Sequence, residues 1–183
     1  MSDTLGTKMT LQDLEFFAQE VMVTIVPNFT ENSLNLIRGK FGPFKAQKPI
    51  EVPLWLAIYL KSRGKCRLTI PMYYEEEYLA KKVEEEMSDK VGLTSLPENF
   101  FEIFLILSNK AADDFYDSMK SKSLIEDIKQ LRLSKLTNFI KQLERSSTYL
   151  VFDHITDYEL SLMRPMIGEA YNKLAQLNKA ASA

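Results

Sequence analysis

The sequence has one cysteine, Cys66, and one histidine, His154, among its 183 residues. A lone cysteine cannot form an internal disulfide, and together with a lone histidine it cannot build a Cys-rich zinc site. The composition therefore excludes a disulfide-stapled secreted domain and predicts a chain that works in a reducing compartment. The two residues could form a Cys–His nucleophile only if the fold joined them. The simpler interpretation makes Cys66 a small apolar strand residue and His154 a loop residue before a helix.

Recognisable catalytic and cofactor-binding motifs are also missing. The sequence contains no phosphate-binding glycine loop, dinucleotide-binding glycine pattern, nucleophile elbow, zinc-protease motif or paired Cys-x-x-Cys. A metal site would have to be built from carboxylates such as Glu75–Glu77 or Glu84–Glu86, but consecutive helical residues point in different directions, which favours a solvated helix face. We therefore predict no catalytic, cofactor-binding or metal-binding residue and no enzymatic activity. An enzyme with an unrecognised carboxylate site stays as a competing class.

Segments that would direct the chain to a membrane are not apparent either. Residues 1–17 carry acidic side chains where a signal peptide has positive charge, and no apolar segment follows them. The apolar runs, such as Ile103–Leu107, are far shorter than the roughly 18 residues needed to cross a bilayer. We expect a chain without a membrane span.

Positive charge shows no overall excess but is unevenly distributed. The 23 Lys and Arg residues against 25 Asp and Glu residues give a net charge of −2, unlike a generic nucleic-acid binder. Residues 38–67 nevertheless hold eight basic residues and one acidic residue, a charge of +7, which leaves −9 for the rest. This segment could meet DNA phosphates or a protein, or remain a solvated surface. We favour a protein contact, because no aromatic residues lie between the densest charges to stack on bases. The candidate basic contact consists of Lys61, Arg63, Lys65 and Arg67.

Proline and glycine thin out after the first part of the chain. Four of the seven prolines lie between Pro27 and Pro53, whereas later segments show helical periodicity. The sequence thus predicts an α+β, mainly helical fold in two domains. A small β-rich domain with flanking helices should occupy residues 1–71, and an α-helical bundle domain that mediates subunit assembly should occupy residues 72–183.

The first domain is predicted to be a small, partly open sheet covered by helices. Thr10 is a candidate N-cap for a short amphipathic helix, and β-rich runs follow at residues 22–26, 34–37, 50–52 and 67–70. A helix should then begin at the Val-Pro-Leu-Trp segment and pack its apolar face on the sheet. The residues predicted to hold this domain together are Gly42, Pro43, Phe44, Pro53, Leu54, Trp55 and Ile58.

The second domain is predicted to contain at least four helices. Capping-box spacings at Ser95–Glu98, Ser123–Glu126 and Thr156–Glu159 mark three helix starts, and Pro165 should kink or divide the last helix. Residues 100–107 are apolar on nearly every side, so we expect them to be shared between the chain's own core and partner helices. The candidate partner interface comprises Phe100, Phe101, Phe104, Leu107, Arg132, Lys135 and Leu136.

Several short segments together resemble a known family. They are Leu14-Glu-Phe-Phe-Ala-Gln-Glu, Val23-Thr-Ile-Val-Pro-Asn-Phe, Gly42-Pro-Phe, Glu51-Val-Pro-Leu-Trp-Leu-Ala-Ile and Lys65-Cys-Arg-Leu, with looser similarity in residues 130–136 and 155–165. In order and spacing they resemble the Psf-two family of subunits of the eukaryotic GINS replication complex, over nearly the whole chain. The sequence departs from the family at Pro71-Met-Tyr-Tyr, where the family usually carries a tryptophan shortly after a proline.

The resemblance implies a non-catalytic structural subunit, without cofactors, located in the nucleus. It implies a heterotetramer with three paralogous GINS subunits, which joins the minichromosome maintenance hexamer and Cdc-forty-five to form the replicative helicase, with weak non-specific DNA contact as a further possibility. An independent nucleic-acid-binding or adaptor module is the alternative from another class.

Overall fold

The computed structural model describes residues 10–89, 92–143 and 153–168. The helices are α1 (Leu11–Ala18), α2 (Leu54–Ser62), α3 (Glu76–Ser88), α4 (Phe100–Lys110), α5 (Ser118–Leu143) and α6, which is described over residues 157–168. The strands are β1 (Met22–Pro27), β2 (Leu34–Leu36), β3 (Gly39–Phe41), β4 (Ile50–Pro53) and β5 (Cys66–Leu68). The α+β, mainly helical class predicted from the sequence is confirmed. Among the described residues no helix is long and apolar enough to span a bilayer.

The main sheet has three antiparallel strands in the order β4-β1-β5. β1 is the central strand, with Ile25 opposite Ile50 of β4 on one side and Leu68 of β5 on the other. Its side chains alternate, so that Val23 and Ile25 enter the core while Thr24 does not. The 34–37 run was expected in this sheet but instead forms a separate hairpin with β3. Gly39, with φ +139°, lets the chain reverse there after only two residues.

Helix α1 begins as predicted. The Thr10 hydroxyl accepts from the backbone N–H of Asp13 at 3.3 Å, and the Asp13 carboxylate accepts from the backbone N–H of Thr10 at 2.8 Å. This reciprocal capping box satisfies two of the N–H groups that a helix start otherwise leaves unpaired. A polar reciprocal cap thus fixes where the first helix begins.

Helix α2 covers the sheet, as the sequence predicts. It follows Pro53 directly, and Leu54 is fully buried against the sheet core. Trp55 and Ile58 are only partly buried, and the Trp55 ring meets Phe41 of the hairpin edge-on at 5.9 Å between ring centres. The half-buried tryptophan therefore joins the hairpin to the helix.

Gly42 and Phe44 make a tight turn beneath the hairpin. Gly42 has φ +121°, and a Cβ there would lie 3.1 Å from both the Asn32 carbonyl oxygen and the Ser33 Cα. Phe44 is fully buried, exchanges two backbone hydrogen bonds with Glu31, and stacks on Phe29 with ring centres 5.2 Å apart. Only glycine fits this backbone conformation and this close approach.

Two of the three predicted capping boxes in the second domain are wrong. Helix α4 begins at Phe100 after Asn99, whose φ is +52°, so Ser95–Glu98 lies in the preceding loop. Ser123 lies inside α5, which begins five residues earlier. Its start is capped by Asp117, whose carboxylate accepts from the N–H groups of Met119 and Lys120 at 3.1 and 3.0 Å. The Ser-x-x-Glu spacing is short enough to occur by chance within loops and helices.

The third capping box is confirmed. Glu159 donates its backbone N–H to the Thr156 hydroxyl at 3.3 Å, and its carboxylate accepts from the Thr156 backbone N–H at 2.9 Å. Helix α6 follows at once and runs unbroken past Pro165 to the end of the described segment. The division of this helix at Pro165 is therefore wrong, and the kink stays a prediction.

One apolar core runs through both predicted domains. It includes Ile25 and Leu56 of the first and Leu79, Phe100 and Ile128 of the second. Helix α1 packs on α4 across the predicted boundary. A smaller cluster of Leu93, Leu136, Ile140 and Met163 joins α5 to α6. The division at residues 71 and 72 thus falls within continuous packing.

Candidate interaction surfaces

The residues that could carry catalysis do not come together. Among the described residues no group of three or more His, Cys, Asp or Glu side chains could hold a metal ion. Cys66 is buried on β5, where burial raises the pKa of its thiol to about 11, so the reactive thiolate is disfavoured. His154 occupies an exposed left-handed turn before α6 and lines a different cleft from Cys66. Cys66 and His154 therefore do not form a Cys–His nucleophile.

A buried ion network occupies the centre of the helical domain. Arg132 on α5 is completely buried and pairs with Glu159 through two bonds, Nε to Oε1 at 2.5 Å and Nη2 to Oε2 at 2.9 Å. Its Nη1 donates to Glu86 Oε1 at 2.6 Å. The two remaining N–H groups reach the backbone carbonyls of Thr94 and His154, both at 2.7 Å. All five donors of the guanidinium are thus used.

Lys135, one helical turn further along α5, completes this network. Its ammonium donates to Glu86 Oε2 at 2.5 Å and to the Gly92 carbonyl at 2.9 Å. Burial acts to raise the pKa of Glu86, but hydrogen bonds from Lys135, Thr94 and Arg132 outweigh it and leave the pKa below its usual value. Two cations and two carboxylates balance, which is the condition under which charges are tolerated inside a protein.

The network was only partly visible in the sequence. Glu86 was expected on a solvated helix face, yet it is 1% exposed because α3 turns it toward α5. Glu159 was expected only as a helix cap, and it serves both the cap and Arg132. The capping-box spacing predicted the role of Glu159 as a helix cap. Nothing in the sequence predicts that it also pairs with Arg132, which lies 27 positions earlier.

The predicted partner-interface residues lie mainly in the chain's own interior. Phe100, Phe101, Phe104 and Leu107 are at most 7% exposed. Leu105 is the apolar residue of α4 that keeps substantial exposure, at 41%. Arg132 and Leu136 are also buried, and Lys135 is mostly so. The burial of the α4 residues agrees with the expectation that they belong to the chain's own core. Their contact with partner helices stays a prediction.

The basic stretch divides into one paired lysine and three exposed charges. Lys61 contacts Asp113 at 2.8 Å and Asp114 at 2.7 Å, between Nζ and Oδ2 in each case. Asp114 also accepts from the Leu68 backbone N–H of β5 at 2.9 Å. We call this contact the clasp: Lys61, Asp113, Asp114 and the Leu68 N–H. It joins the first domain to the loop between α4 and α5, so Lys61 is already engaged within the chain.

The other three basic residues, Arg63, Lys65 and Arg67, are exposed. The Arg63 guanidinium lies 5.4 Å from the centre of the exposed Tyr59 ring. Arg67 borders a cleft of about 520 Å³ that also includes Asn28, Gln47 and Asp113. Tyr59 thus places an aromatic ring beside Arg63. The sequence did not suggest this contact, because Tyr59 lies before the basic residues and not between them.

Apolar side chains are exposed at two further places. On α1, Phe16 and Phe17 are 56% and 53% exposed and touch edge-on with ring centres 5.9 Å apart. At the start of α5, Tyr116 and Met119 are also largely exposed. Large exposed apolar groups in neighbouring positions are typical of contact surfaces.

The fold and these surfaces define a mainly helical α+β scaffold, in which the described polar clusters connect segments of the chain to one another. Residues 10–69 match the family model described as the PSF2 N-terminal domain, and residues 73–177 match the GINS complex protein helical bundle domain. The chain belongs to the PSF2 family of DNA replication complex GINS proteins.

Curated relatives agree with this assignment. A DNA replication complex GINS protein PSF2 from Homo sapiens is 33% identical over 174 residues, which cover 92% of each chain. Its counterpart from Debaryomyces hansenii is 34% identical over 169 residues, 92% of this chain and 81% of the relative. A probable PSF2 from Drosophila melanogaster is 32% identical over 172 residues, 93% of this chain and 84% of the relative.

Proposed function

We propose that the chain is a non-catalytic structural subunit of a GINS heterotetramer in DNA replication. Three paralogous subunits pack against it, and the tetramer joins the minichromosome maintenance hexamer and Cdc-forty-five in the nucleus to form the replicative helicase. Family membership over nearly the whole chain carries this proposal. The exposed aromatic pair on α1, which offers a surface for a partner subunit, supports it.

Co-expression with the three paralogous subunits tests the proposal. We expect a stoichiometric four-subunit complex in size-exclusion chromatography, and a higher melting temperature for this chain inside the complex, because binding to the folded state stabilises it by mass action. A chain that is monomeric and cooperatively folded alone, and gains no stability from the other subunits, would contradict the obligate-subunit role.

An ATPase assay tests the non-catalytic part of the proposal. We expect no hydrolysis by the purified chain above a buffer control. Hydrolysis that disappears on Glu84→Gln, a change at an exposed residue of α3, would restore the enzyme alternative.

The partner of the basic stretch is tested with a triple variant, Arg63→Ala, Lys65→Ala and Arg67→Ala. Lys61 is kept, because its ion pairs to Asp113 and Asp114 hold the fold and its removal would confuse stability with binding. We propose a protein contact, so the variant tetramer should bind DNA like wild type but recover less hexamer in pull-down. Weaker DNA binding, with a shallower decline in affinity as salt increases, would favour direct phosphate contact instead.

A further inference from the structure

A second cleft lies between the starts of α4 and α6, away from the clasp and the basic stretch. It measures about 270 Å³ and is formed by the loop of residues 95–99, by Glu102 in the first turn of α4, and by residues 154–157. Pockets for drug-sized ligands and cofactors commonly range from about 300 to 1,000 Å³. The size of this cleft therefore suits a single long side chain.

Glu102 makes this cleft unusual. The residue lines the cleft and is only 2% exposed, and its Oε2 atom has no hydrogen-bond partner among the described residues. A buried carboxylate oxygen without a partner is costly to a folded chain, and proteins rarely keep one. By contrast, the other buried carboxylates, Glu86 and Glu159, are fully engaged by Arg132, Lys135 and two threonines.

The charged residues around the cleft favour a positively charged ligand. Glu98 and Asp157 border it with Glu102, and no lysine or arginine is present among its lining residues. Glu15 and Glu159 add to the negative potential at Glu102. The two helix starts alone would attract an anion, but three carboxylates already occupy that position. The described carboxylates also do not converge as a metal site would require.

We infer that this cleft receives the side chain of an arginine or lysine from a partner subunit, whose cationic group pairs with Glu102. The inference rests on the proposed function, since the cleft lies entirely within the region matched by the GINS helical bundle model. The partner group would supply the hydrogen bonds that Glu102 lacks. It would also turn an unfavourable buried charge into a buried ion pair, which forms only in the complex.

The variant Glu102→Gln separates this role from a structural one. In the chain alone, it removes an unpaired buried charge, so the melting temperature should rise by about 2 °C or more. In the complex, it removes one member of the ion pair, so affinity for the other three subunits should fall about tenfold or more. Stability and assembly should therefore change in opposite directions.

A surface glutamate provides the matched control. Glu77→Gln makes the same chemical change at an exposed site on α3 outside the cleft. It should leave both the melting temperature of the chain and its affinity for the other three subunits unchanged. A Glu102→Gln chain that is stabilised but assembles with wild-type affinity would overturn the inference. So would a Glu102→Gln chain that melts lower than wild type, because Glu102 would then have a partner within the chain. Failure of the wild-type chain to assemble at all would contradict the proposed function instead.

A second measurement needs only the assembled complex. A benzoylphenylalanine photo-crosslinker at Glu98, on the exposed rim of the cleft, should attach to a partner segment containing an arginine or lysine. Changing that basic residue to glutamine should weaken assembly in the wild-type background and have little further effect beside Glu102→Gln, since the two residues act as one pair. Additive losses, a cross-link to a segment without a basic residue, or no cross-link to a partner would each overturn the inference.

Discussion

At the scale of single residues, Arg132 is fully buried and donates five hydrogen bonds, three of them to Glu86 and Glu159. Replacing it with leucine leaves Glu159 buried without a cation and leaves Glu86 with Lys135 alone, so we expect a loss of about 3 to 5 kcal/mol in the free energy of unfolding. Urea denaturation followed by circular dichroism measures this loss. Arg38→Leu is the control: Arg38 pairs with Glu20 at the surface and should cost about 0 to 1 kcal/mol. A loss below about 1 kcal/mol at Arg132 would show that the network opens to water.

Two buried glutamates should give opposite pH dependences. Burial raises the pKa of Glu102 above its ordinary value of 4.5; a hydrogen bond from its own backbone N–H opposes this rise, and the charges of Asp157, Glu159 and Glu15 add to it. The folded state therefore binds the proton more tightly than the unfolded state, and this group lowers stability as the pH rises from about 4.5 through the folded-state pKa. Glu86, whose pKa is lowered, stabilises the fold above about 4.5, and that contribution is lost as the pH falls through its folded-state pKa.

The Glu102 effect can be isolated by comparing Glu102→Gln with wild type in thermal melts from pH 4 to pH 8. The melting temperatures should approach each other at the acid end and diverge as the pH rises, with the variant more stable. A difference that stays constant over this range would show that Glu102 keeps the same charge throughout.

At the scale of elements, the clasp determines how β5 is held. Leu68 turns its N–H away from β1, and Asp114 accepts it while also binding Lys61. Asp114→Ala should cost about 1.5 to 3 kcal/mol, the range for hydrogen bonds to a charged group. Asp113→Ala is the matched control, because Asp113 binds the same lysine but its side chain is 74% exposed and should contribute under about 1 kcal/mol. Equal losses in urea denaturation would contradict a specific role for Asp114 as the acceptor of the Leu68 N–H of β5.

Some of the helix starts can be predicted from the sequence, and others cannot. Helices α1 and α6 were placed because their capping boxes are reciprocal, with Asp13 and Glu159 each returning a hydrogen bond. The starts of α4 and α5 were misplaced, since Ser95 and Ser123 carry the same spacing without the reciprocal geometry. The pairing of 34–36 with 39–41 was missed because β2 and β3 are only three residues long each, too short for a clear alternation of apolar and polar residues.

At the scale of the whole molecule, the continuous core predicts one unfolding transition. The single tryptophan, Trp55, reports on the first domain by fluorescence, while circular dichroism at 222 nm reports mainly on the helices of the second. Because Leu56 and Phe100 belong to the same apolar cluster, the two signals should give the same urea midpoint within error. Tryptophan fluorescence that changes at a clearly lower or higher urea concentration would show that residues 1–71 and 72–183 unfold as separate domains.

The sequence alone determined the α+β class, the helical second half and the resemblance to the GINS family, because periodicity, turn residues and short ordered motifs are local properties. The sequence also indicated Lys61 as part of a candidate basic contact and Arg132 as part of a candidate partner interface. Their contacts depend on the packed fold: Lys61 pairs with aspartates more than 50 positions away, and Arg132 pairs with Glu86, which is 46 positions away. Helix packing likewise gives Glu86 a salt bridge to Arg132 but leaves the Oε2 atom of Glu102 without a hydrogen-bond partner among the described residues. The reason is that the partner of a buried charge depends on how helices pack, and packing is fixed by the whole core.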